Sequence, residues 1–189
     1  MLNSTIKILN AAKQCFYRHG FSATTISMIS KYADVSRVTI HKQFCSKEQI
    51  FRKVIVHYNQ ELIEQTASII ACKQPCWTKV DSLLTQWGDE IFKEINDEIV
   101  RNDLIYSAKQ YCREEILSMR EVKCNLIEQI LQQGIKNNEI CLDKLAMTAY
   151  DVADLIEITF SGLVNTGRLE NREKHITSLL KIYQVAAHT

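Results

Sequence analysis

The chain has 189 residues, 46% of them hydrophobic, and it contains only five glycines and one proline. This length can bury a sizeable core in one or two domains, and so few turn-forming residues argue against a fold of many short strands. No run approaches the roughly 18 apolar residues of a membrane span, and the N-terminus lacks the pattern of a signal peptide. The sequence therefore predicts a soluble, cytoplasmic, all-α protein.

The net charge of +1 favours no particular partner, but the charges are unevenly distributed. Residues 1–57 hold nine Lys or Arg against two Asp or Glu, a net charge of +7. Residues 58–189 hold 14 basic against 20 acidic residues, a net charge of −6. A basic segment followed by an acidic one is typical of a module that binds a polyanion.

Apolar residues at helical spacing divide the N-terminal segment into four predicted helices. They run from caps at Asn3–Thr5 to Gly20, from Ile26 to about Tyr32, from Arg37 to Gln43, and from Lys47 to around Ala71. The last three each follow a residue whose hydroxyl can cap a helix: Thr25, Ser36 and Ser46. The two short helices around a tight turn predict a helix-turn-helix, because the major groove of DNA admits one α-helix.

A series of residues at fixed spacing makes this prediction specific. It comprises Ile8-x2-Ala11-Ala12-x3-Phe16-x3-Gly20-Phe21, Thr24-Thr25-Ile26-x2-Ile29, Val35-Ser36-x2-Thr39 and Phe44-x-Ser46-Lys47-Glu48. This pattern closely resembles the DNA-binding domain of the tetracycline-repressor (TetR) family over residues 8–54. The resemblance covers a quarter of the chain, and the remainder resembles the family only in length, helicity and charge.

The resemblance implies a set of residues that contact DNA. They are Thr25, Ser36, Arg37, Thr39, His41, Lys42, Gln43 and Lys47. Among them, Thr25 and Ser36 match helix-capping positions beside backbone N–H groups that face phosphate, and Lys47 matches the family's phosphate-gripping lysine. His41 and Gln43 stand where the family commonly has aromatic residues.

Two further departures concern the glycines that many family members carry in this motif. Val38 replaces a frequent glycine and gives the third helix more bulk. Asp34 replaces the usual turn glycine, and aspartate tolerates the left-handed conformation that such a turn needs.

Residues beyond the motif predict five more helices, about nine in all. The expected ranges are 77–95, 98–110, 113–136, 143–165 and 171–187. We therefore expect a helix-turn-helix DNA-binding domain at 1–52 and a helical effector-binding and dimerisation domain at 53–189.

The last two helices carry long apolar stripes, and one chain has few other residues left to cover them. This predicts a homodimer with a four-helix interface. Those stripes are Leu145, Ala149, Val152, Ala153, Ile156, Phe160, Leu163 and Val164, then Ile176, Leu179, Leu180, Ile182, Tyr183 and Ala186.

The resemblance also implies that helices five to seven enclose an effector pocket. Aromatic residues that could line it are Trp77, Trp87, Phe92, Tyr106, Tyr111 and Phe160, with Gln86, Gln110 and Glu157 as polar partners. The same aromatics could instead be ordinary core. The implied function is a ligand-responsive repressor that binds an inverted-repeat operator as a dimer and is released by a small-molecule effector.

Other functions remain open on the sequence. The main alternative is a DNA-bound adaptor that acts through a protein partner without a small effector. Cys45 lies beside the DNA-contacting residues and could act as a redox switch, and Cys72-x3-Cys76 has a poor spacing for zinc. No nucleophile and base stand at a recognisable spacing, and no glycine-rich phosphate loop is present, so neither an enzyme nor a cofactor or metal is expected.

Overall fold

The computed structural model describes residues 2–93, 95, 97–165 and 172–187, with side chains at 4–88, 95, 97–163 and 174–187. Over these residues the chain is all helical, as predicted. The nine α-helices are α1 (Leu2–Ala23), α2 (Ile26–Ala33), α3 (Arg37–Gln43), α4 (Lys47–Ala71), α5 (Cys76–Lys93), α6 (Glu98–Tyr111), α7 (Arg113–Lys136), α8 (Ala149–Asn165) and α9 (Arg172–Ala186). In this part of the chain, no helix is long and apolar enough to cross a membrane.

Helix α1 differs from its prediction at the beginning and agrees with it at the end. It begins at Leu2, so Ser4 and Thr5 lie inside its first turns and do not cap it. Its regular part ends at Gly20, where φ is +80° and the axis bends before the last residues to Ala23. A residue without Cβ adopts this backbone conformation without strain, which is why a glycine ends the helix here.

Helix α8 begins later than its apolar pattern predicted. Residues Asp143–Leu145 form a single 3-10 turn, and Ala146 then takes a left-handed conformation with φ +50°. The helix proper follows Thr148, whose Oγ1 accepts the backbone N–H of Asp151 at 3.1 Å while Asp151 Oδ2 accepts the N–H of Thr148 at 2.8 Å. This reciprocal cap fixes the start six residues after the expected position.

The chain packs as two compact units, and each unit is made of two separate stretches of the sequence. Unit 1 contains residues 1–61 and 93–117, and unit 2 contains residues 62–92 and 118–189. Helix α6, far away in sequence, therefore belongs to the same unit as α1 to α3 and packs along α1. Helix α4 contributes its first part to unit 1 and its last part to unit 2.

An apolar core holds the helices of unit 1 together. Ile8, Phe16, Ile29, Ile40 and Ile50 are fully buried, so α1, α2, α3 and α4 each contribute to one cluster. Four aromatic rings extend this cluster to the end of α6, with ring centroids about 5 to 6 Å apart: Phe16, Phe21, Phe51 and Tyr111. This packing gives α2 and α3 a rigid base.

Unit 2 buries half of the apolar residues that were expected to face a second subunit. Ala149, Val152, Ala153, Ile156 and Phe160 of α8 are buried within the chain, as are Ile176 and Leu180 of α9. Of the predicted stripe residues, Ile182 stays exposed, and the side chain of Val164 lies outside the described residues. The other exposed apolar side chains lie outside the predicted stripes, because the helices turn other sides outward. This outer apolar face consists of Tyr150, Leu155, Ile158, Ile182 and Val185.

Candidate nucleic-acid interface

The turn between α2 and α3 is closed by backbone hydrogen bonds around Asp34. Asp34 has φ +49°, the left-handed conformation that the sequence predicted for this position. Its N–H donates to the carbonyl of Lys31, and the N–H of Val35 donates to the carbonyl of Ser30 at 3.2 Å. These two bonds satisfy carbonyls at the end of α2, and they turn the chain directly into α3.

Hydroxyl groups cap both short helices, as their sequence positions predicted. Thr25 Oγ1 accepts the N–H of Met28 at 3.2 Å, and Ser36 Oγ accepts the N–H of Thr39 at 3.0 Å. Ser36 Oγ also lies 2.8 Å from Thr39 Oγ1, so the threonine hydroxyl is part of the same cap. The caps define where each helix begins, and hence which backbone N–H groups face outward.

Replacing Ser36 with alanine should lower the free energy of unfolding by about 1 kcal/mol, because the N–H of Thr39 loses its acceptor. Urea denaturation followed by circular dichroism measures this change. Ser178→Ala is the matched control, since Ser178 is exposed inside α9 and alanine is a better helix former there. Equal stabilities of the two variants would contradict the capping role.

The inner faces of α2 and α3 meet through apolar side chains. Ile29 and Ala33 of α2 and Ile40 of α3 are buried, with Phe44 directly after α3 also buried. Arg37 Nη1 donates to Ser27 Oγ at 3.2 Å and adds a polar link between the two helices. The angle of the pair is therefore fixed from both sides.

The outer face of α3 is exposed and carries positive charge. Val38, His41 and Lys42 are three and four residues apart and therefore share one side of the helix. All three are exposed, as is Arg37 one position earlier, and Val38 has 64% of its surface accessible. We call Arg37, Val38, His41 and Lys42 the recognition face. Sequence reasoning noted the bulk of Val38 and did not include it among the contact residues.

Gln43 lies at the end of α3 and is bound to α1. Its Oε1 accepts the hydroxyl of Thr5 at 2.6 Å, and its Nε2 donates to Ser4 Oγ at 3.0 Å. The amide thus uses hydrogen bonds to hold α3 against α1. In this conformation the side chain is half-buried and belongs to the support of the recognition face.

Lys47 is also engaged inside unit 1. Its ammonium donates to the carbonyl oxygens of Phe21 and Thr24 at 2.7 and 2.9 Å, and it lies 4.3 Å from the centre of the Phe21 ring. The side chain is half-buried. The structure therefore places this lysine on the segment that precedes α2, and the sequence pattern alone gave no sign of these partners.

The cysteines differ in their exposure to solvent. Cys45 is exposed and carries a free thiol between α3 and α4. Burial raises the pKa of Cys76 to about 12 and of Cys112 and Cys124 to about 11, so these thiols stay protonated at neutral pH. Across the described ranges, no three His, Cys, Asp or Glu side chains come together as a metal site, and Cys72 and Cys76 gain no further ligand.

The residues expected to line an effector pocket fall in different parts of the fold. Trp87 and Phe160 come together in unit 2, both almost fully buried, with ring centroids 6.4 Å apart. Tyr111 packs on Phe21 in unit 1, and Tyr106 on α6 is 68% exposed. The side chain of Phe92 lies outside the described residues.

Charged side chains surround the Trp87–Phe160 pair. The Lys123 ammonium lies 5.3 and 5.4 Å from the two ring centres, and burial lowers its pKa. Glu157 is 1% exposed; its carboxylate accepts Arg120 Nε at 3.1 Å and the Ser161 hydroxyl at 2.6 Å. The Trp87 indole N–H is buried and has no hydrogen-bond partner among the described residues. The sequence pointed to Glu157, and nothing in it indicated the two cations.

The geometry of unit 1 defines a class of protein, because two capped helices at a fixed angle with an exposed cationic face form a helix-turn-helix of the kind that enters the DNA major groove. The family described as "Bacterial regulatory proteins, tetR family" matches residues 8–54. Residues 8–54 therefore form a DNA-binding domain of this family, and the protein is a DNA-binding transcriptional regulator.

Relatives and solved structures extend the likeness over the whole chain. The regulator QacR of Staphylococcus aureus is 22% identical over 188 residues, which cover 97% of this chain and 96% of that protein. YfiR of Bacillus subtilis is 26% identical over 137 residues, 70% of this chain and 66% of that protein. The crystal structure of the regulator FadR from Bacillus subtilis in complex with stearoyl-CoA has the same fold, with a TM-score of 0.75, 21% identity and coverage of 97% and 99%.

Proposed function

We propose that the protein is a repressor that binds an inverted-repeat operator as a homodimer and is released by a small-molecule effector. The observation that carries this proposal is the recognition face, which is exposed and cationic on a helix fixed by the Ser36 cap and by Gln43. A rigid helix with free polar and charged side chains is what reading of base edges requires.

The DNA contacts divide into two kinds. Arg37, His41 and Lys42 bind base edges or phosphates from α3, and the methyl groups of Val38 fit the C5-methyl group of thymine. Thr39 supports the first turn through its hydrogen bond with Ser36. Thr25 and Ser36 hold the first turns of α2 and α3, where backbone N–H groups meet phosphate. Gln43 and Lys47 serve binding by holding α3 and the α1–α2 segment in place.

The homodimer uses the outer apolar face of α8 and α9. Ile182 and Val185 are 66% and 79% exposed, and Leu155 and Ile158 are each more than two-fifths exposed. Apolar side chains grouped on two terminal helices favour burial against a second copy, and a two-fold axis presents two identical recognition faces. Two such faces bind two half-sites about 34 Å apart, which gives the inverted repeat.

The effector site lies in unit 2 beside Trp87 and Phe160. The indole N–H of Trp87, which no described residue accepts, offers a donor, and Lys123 and Glu157 offer charged groups of both signs. An apolar site with few convergent polar groups suits a small ligand. The structure of FadR, which shares this fold, is a complex with stearoyl-CoA, and this supports a small-molecule ligand for the present chain.

Selection of duplexes from a random-sequence pool tests the DNA-binding proposal. We expect inverted repeats to be enriched, and Lys42→Ala to lower affinity for the selected duplex about tenfold at moderate salt while relaxing the preference within the half-site. Fluorescence anisotropy at several salt concentrations measures the affinity. Lys136→Ala is the control, because Lys136 is an exposed lysine at the end of α7 in unit 2.

Two outcomes would change the proposal. Binding that shows no sequence preference in the wild-type protein, or no loss in Lys42→Ala, would contradict a specific operator read by α3. A metabolite library that shifts neither the melting temperature nor operator affinity would favour the adaptor, which needs a protein partner and no small effector.

A further inference from the structure

The segment that precedes α2, residues 20–25, is held by side chains of two other helices. From α6, Asp103 accepts two hydrogen bonds from Ser22: the backbone N–H lies 2.9 Å from Oδ2 and the hydroxyl 2.5 Å from Oδ1. From α4, the Lys47 ammonium binds carbonyl oxygens of the same segment. In this short segment, the Asp103 carboxylate therefore accepts a backbone N–H, and the Lys47 ammonium donates to backbone carbonyl oxygens.

The contact between α6 and this segment is close as well as polar. A Cβ on Gly20 would collide with Asp103 Oδ2, so the carboxylate occupies space that only glycine leaves open. The positive φ of Gly20 directs the chain into this position. Thr24 is fully buried, and its hydroxyl donates to the carbonyl of Gly20 at 2.6 Å, which tightens the same bend. The hydrogen bonds to Ser22 and the close approach to Gly20 therefore both place the Asp103 carboxylate against this segment.

The held segment leads directly into the helix-turn-helix. Thr25 follows it and caps α2, and α2 is tied to α3 by the buried contacts of Ile29 with the core and by the Arg37–Ser27 hydrogen bond. A shift of Ser22 therefore moves the beginning of α2 and, with it, the recognition face. Asp103 lies 81 residues away in sequence and has no place in the helix-turn-helix motif.

We propose that Asp103 is a positioning residue for DNA binding, which acts through Ser22 and touches no DNA itself. This inference rests on the DNA-binding function and makes operator affinity depend on where α6 lies. Positioning predicts that loss of the carboxylate weakens binding. Electrostatics alone predicts the opposite, because removal of a negative charge from a DNA-binding unit strengthens attraction to phosphate.

The experiment uses the full chain and the duplex selected by the wild-type protein. We expect Asp103→Ala to weaken binding about tenfold and Ser22→Ala about threefold, with the double variant no weaker than Asp103→Ala. Asp103→Asn should stay within about threefold of the wild type, because the amide can accept from the Ser22 N–H and donate to its hydroxyl. Asn102→Ala, an exposed neighbour on α6, should bind like the wild type.

The readouts separate positioning from loss of folding. All affinities are measured below the lowest melting temperature of the set, and the salt slope of binding should be the same in every variant, since no phosphate contact is removed. Unchanged or stronger binding by Asp103→Ala overturns the inference, as does additivity of the two single substitutions. If Asp103→Ala does not fold, the operator affinities of Ser22→Ala and Asp103→Asn test the inference in its place. A wild-type protein that binds no duplex would overturn the DNA-binding function itself.

Discussion

The double substitution Ile182→Asp with Val185→Asp is expected to produce a monomer that binds the selected duplex at least about 100-fold more weakly than the wild type. Two carboxylates on the outer apolar face of α9 cannot be buried against a second copy without a large desolvation penalty. Once the subunits separate, the second half-site no longer contributes through its high effective concentration, which is worth about two to four orders of magnitude. Light scattering after gel filtration measures the mass of the assembly, and fluorescence anisotropy measures the affinity for the duplex.

Ile99→Asp is the matched control for this experiment. Ile99 is the most exposed large apolar residue of the described chain, at 81%, and it lies on α6 in the other unit. This variant should retain twice the chain mass of 21.8 kDa and wild-type affinity. A double variant that remains dimeric would place the dimer interface elsewhere, and a monomer that binds as tightly as the wild type would contradict cooperation between half-sites.

The local parts of the DNA-binding interface could be predicted from the sequence because their causes are local. A cap needs a hydroxyl next to the first turn, and Thr25 and Ser36 both meet that condition within three residues. A helix end needs a residue that tolerates positive φ, and Gly20 and Asp34 both adopt one. Burial of Ile40 follows from its spacing. For these positions, nearest neighbours in the chain decide the structure.

The supporting contacts could not be predicted because their partners are distant. Gln43 and Lys47 were expected to reach DNA, and the structure shows their hydrogen bonds going to α1 and to residues 21–24. Both residues can reach either partner in principle, and only the folded arrangement of α1 against α3 and α4 determines which partner lies within range. The same holds for Asp103, whose partner is 81 residues earlier.

The apolar stripes of α8 and α9 show a second kind of limit. Periodicity identifies the apolar side of a helix, and it does not tell whether the same chain or another one covers that side. Ile156 and Ile176 are covered by unit 2 itself, whereas Ile182 and Val185 are not. The expected dimer helices are therefore retained in our proposal. Of the predicted stripe residues, Ile182 remains a contact residue, and Tyr150, Leu155, Ile158 and Val185 are added.

Glu157→Ala is expected to lower the free energy of unfolding by about 2 kcal/mol. Its carboxylate is the buried member of the cluster, and its removal leaves the Arg120 guanidinium and the nearby Lys123 ammonium with less counter-charge in a poorly hydrated site. The effect is smaller than for a fully buried pair, because Arg120 is 38% exposed and keeps its bond to Asp154. Urea denaturation measures the change.

Asp154→Ala is the control, because its side chain is 31% exposed and water can replace it beside Arg120. We expect a loss of less than about 1 kcal/mol there, and a loss equal to that of Glu157→Ala would contradict the role of burial. Glu157→Gln separates charge from hydrogen bonding, since the amide oxygen still accepts the Ser161 hydroxyl. Charges buried beside two aromatic rings stabilise a fold less than well-packed apolar residues of the same size would. Their presence near the Trp87 indole, which has no partner in the described part of the chain, is consistent with the effector site proposed above for this part of unit 2.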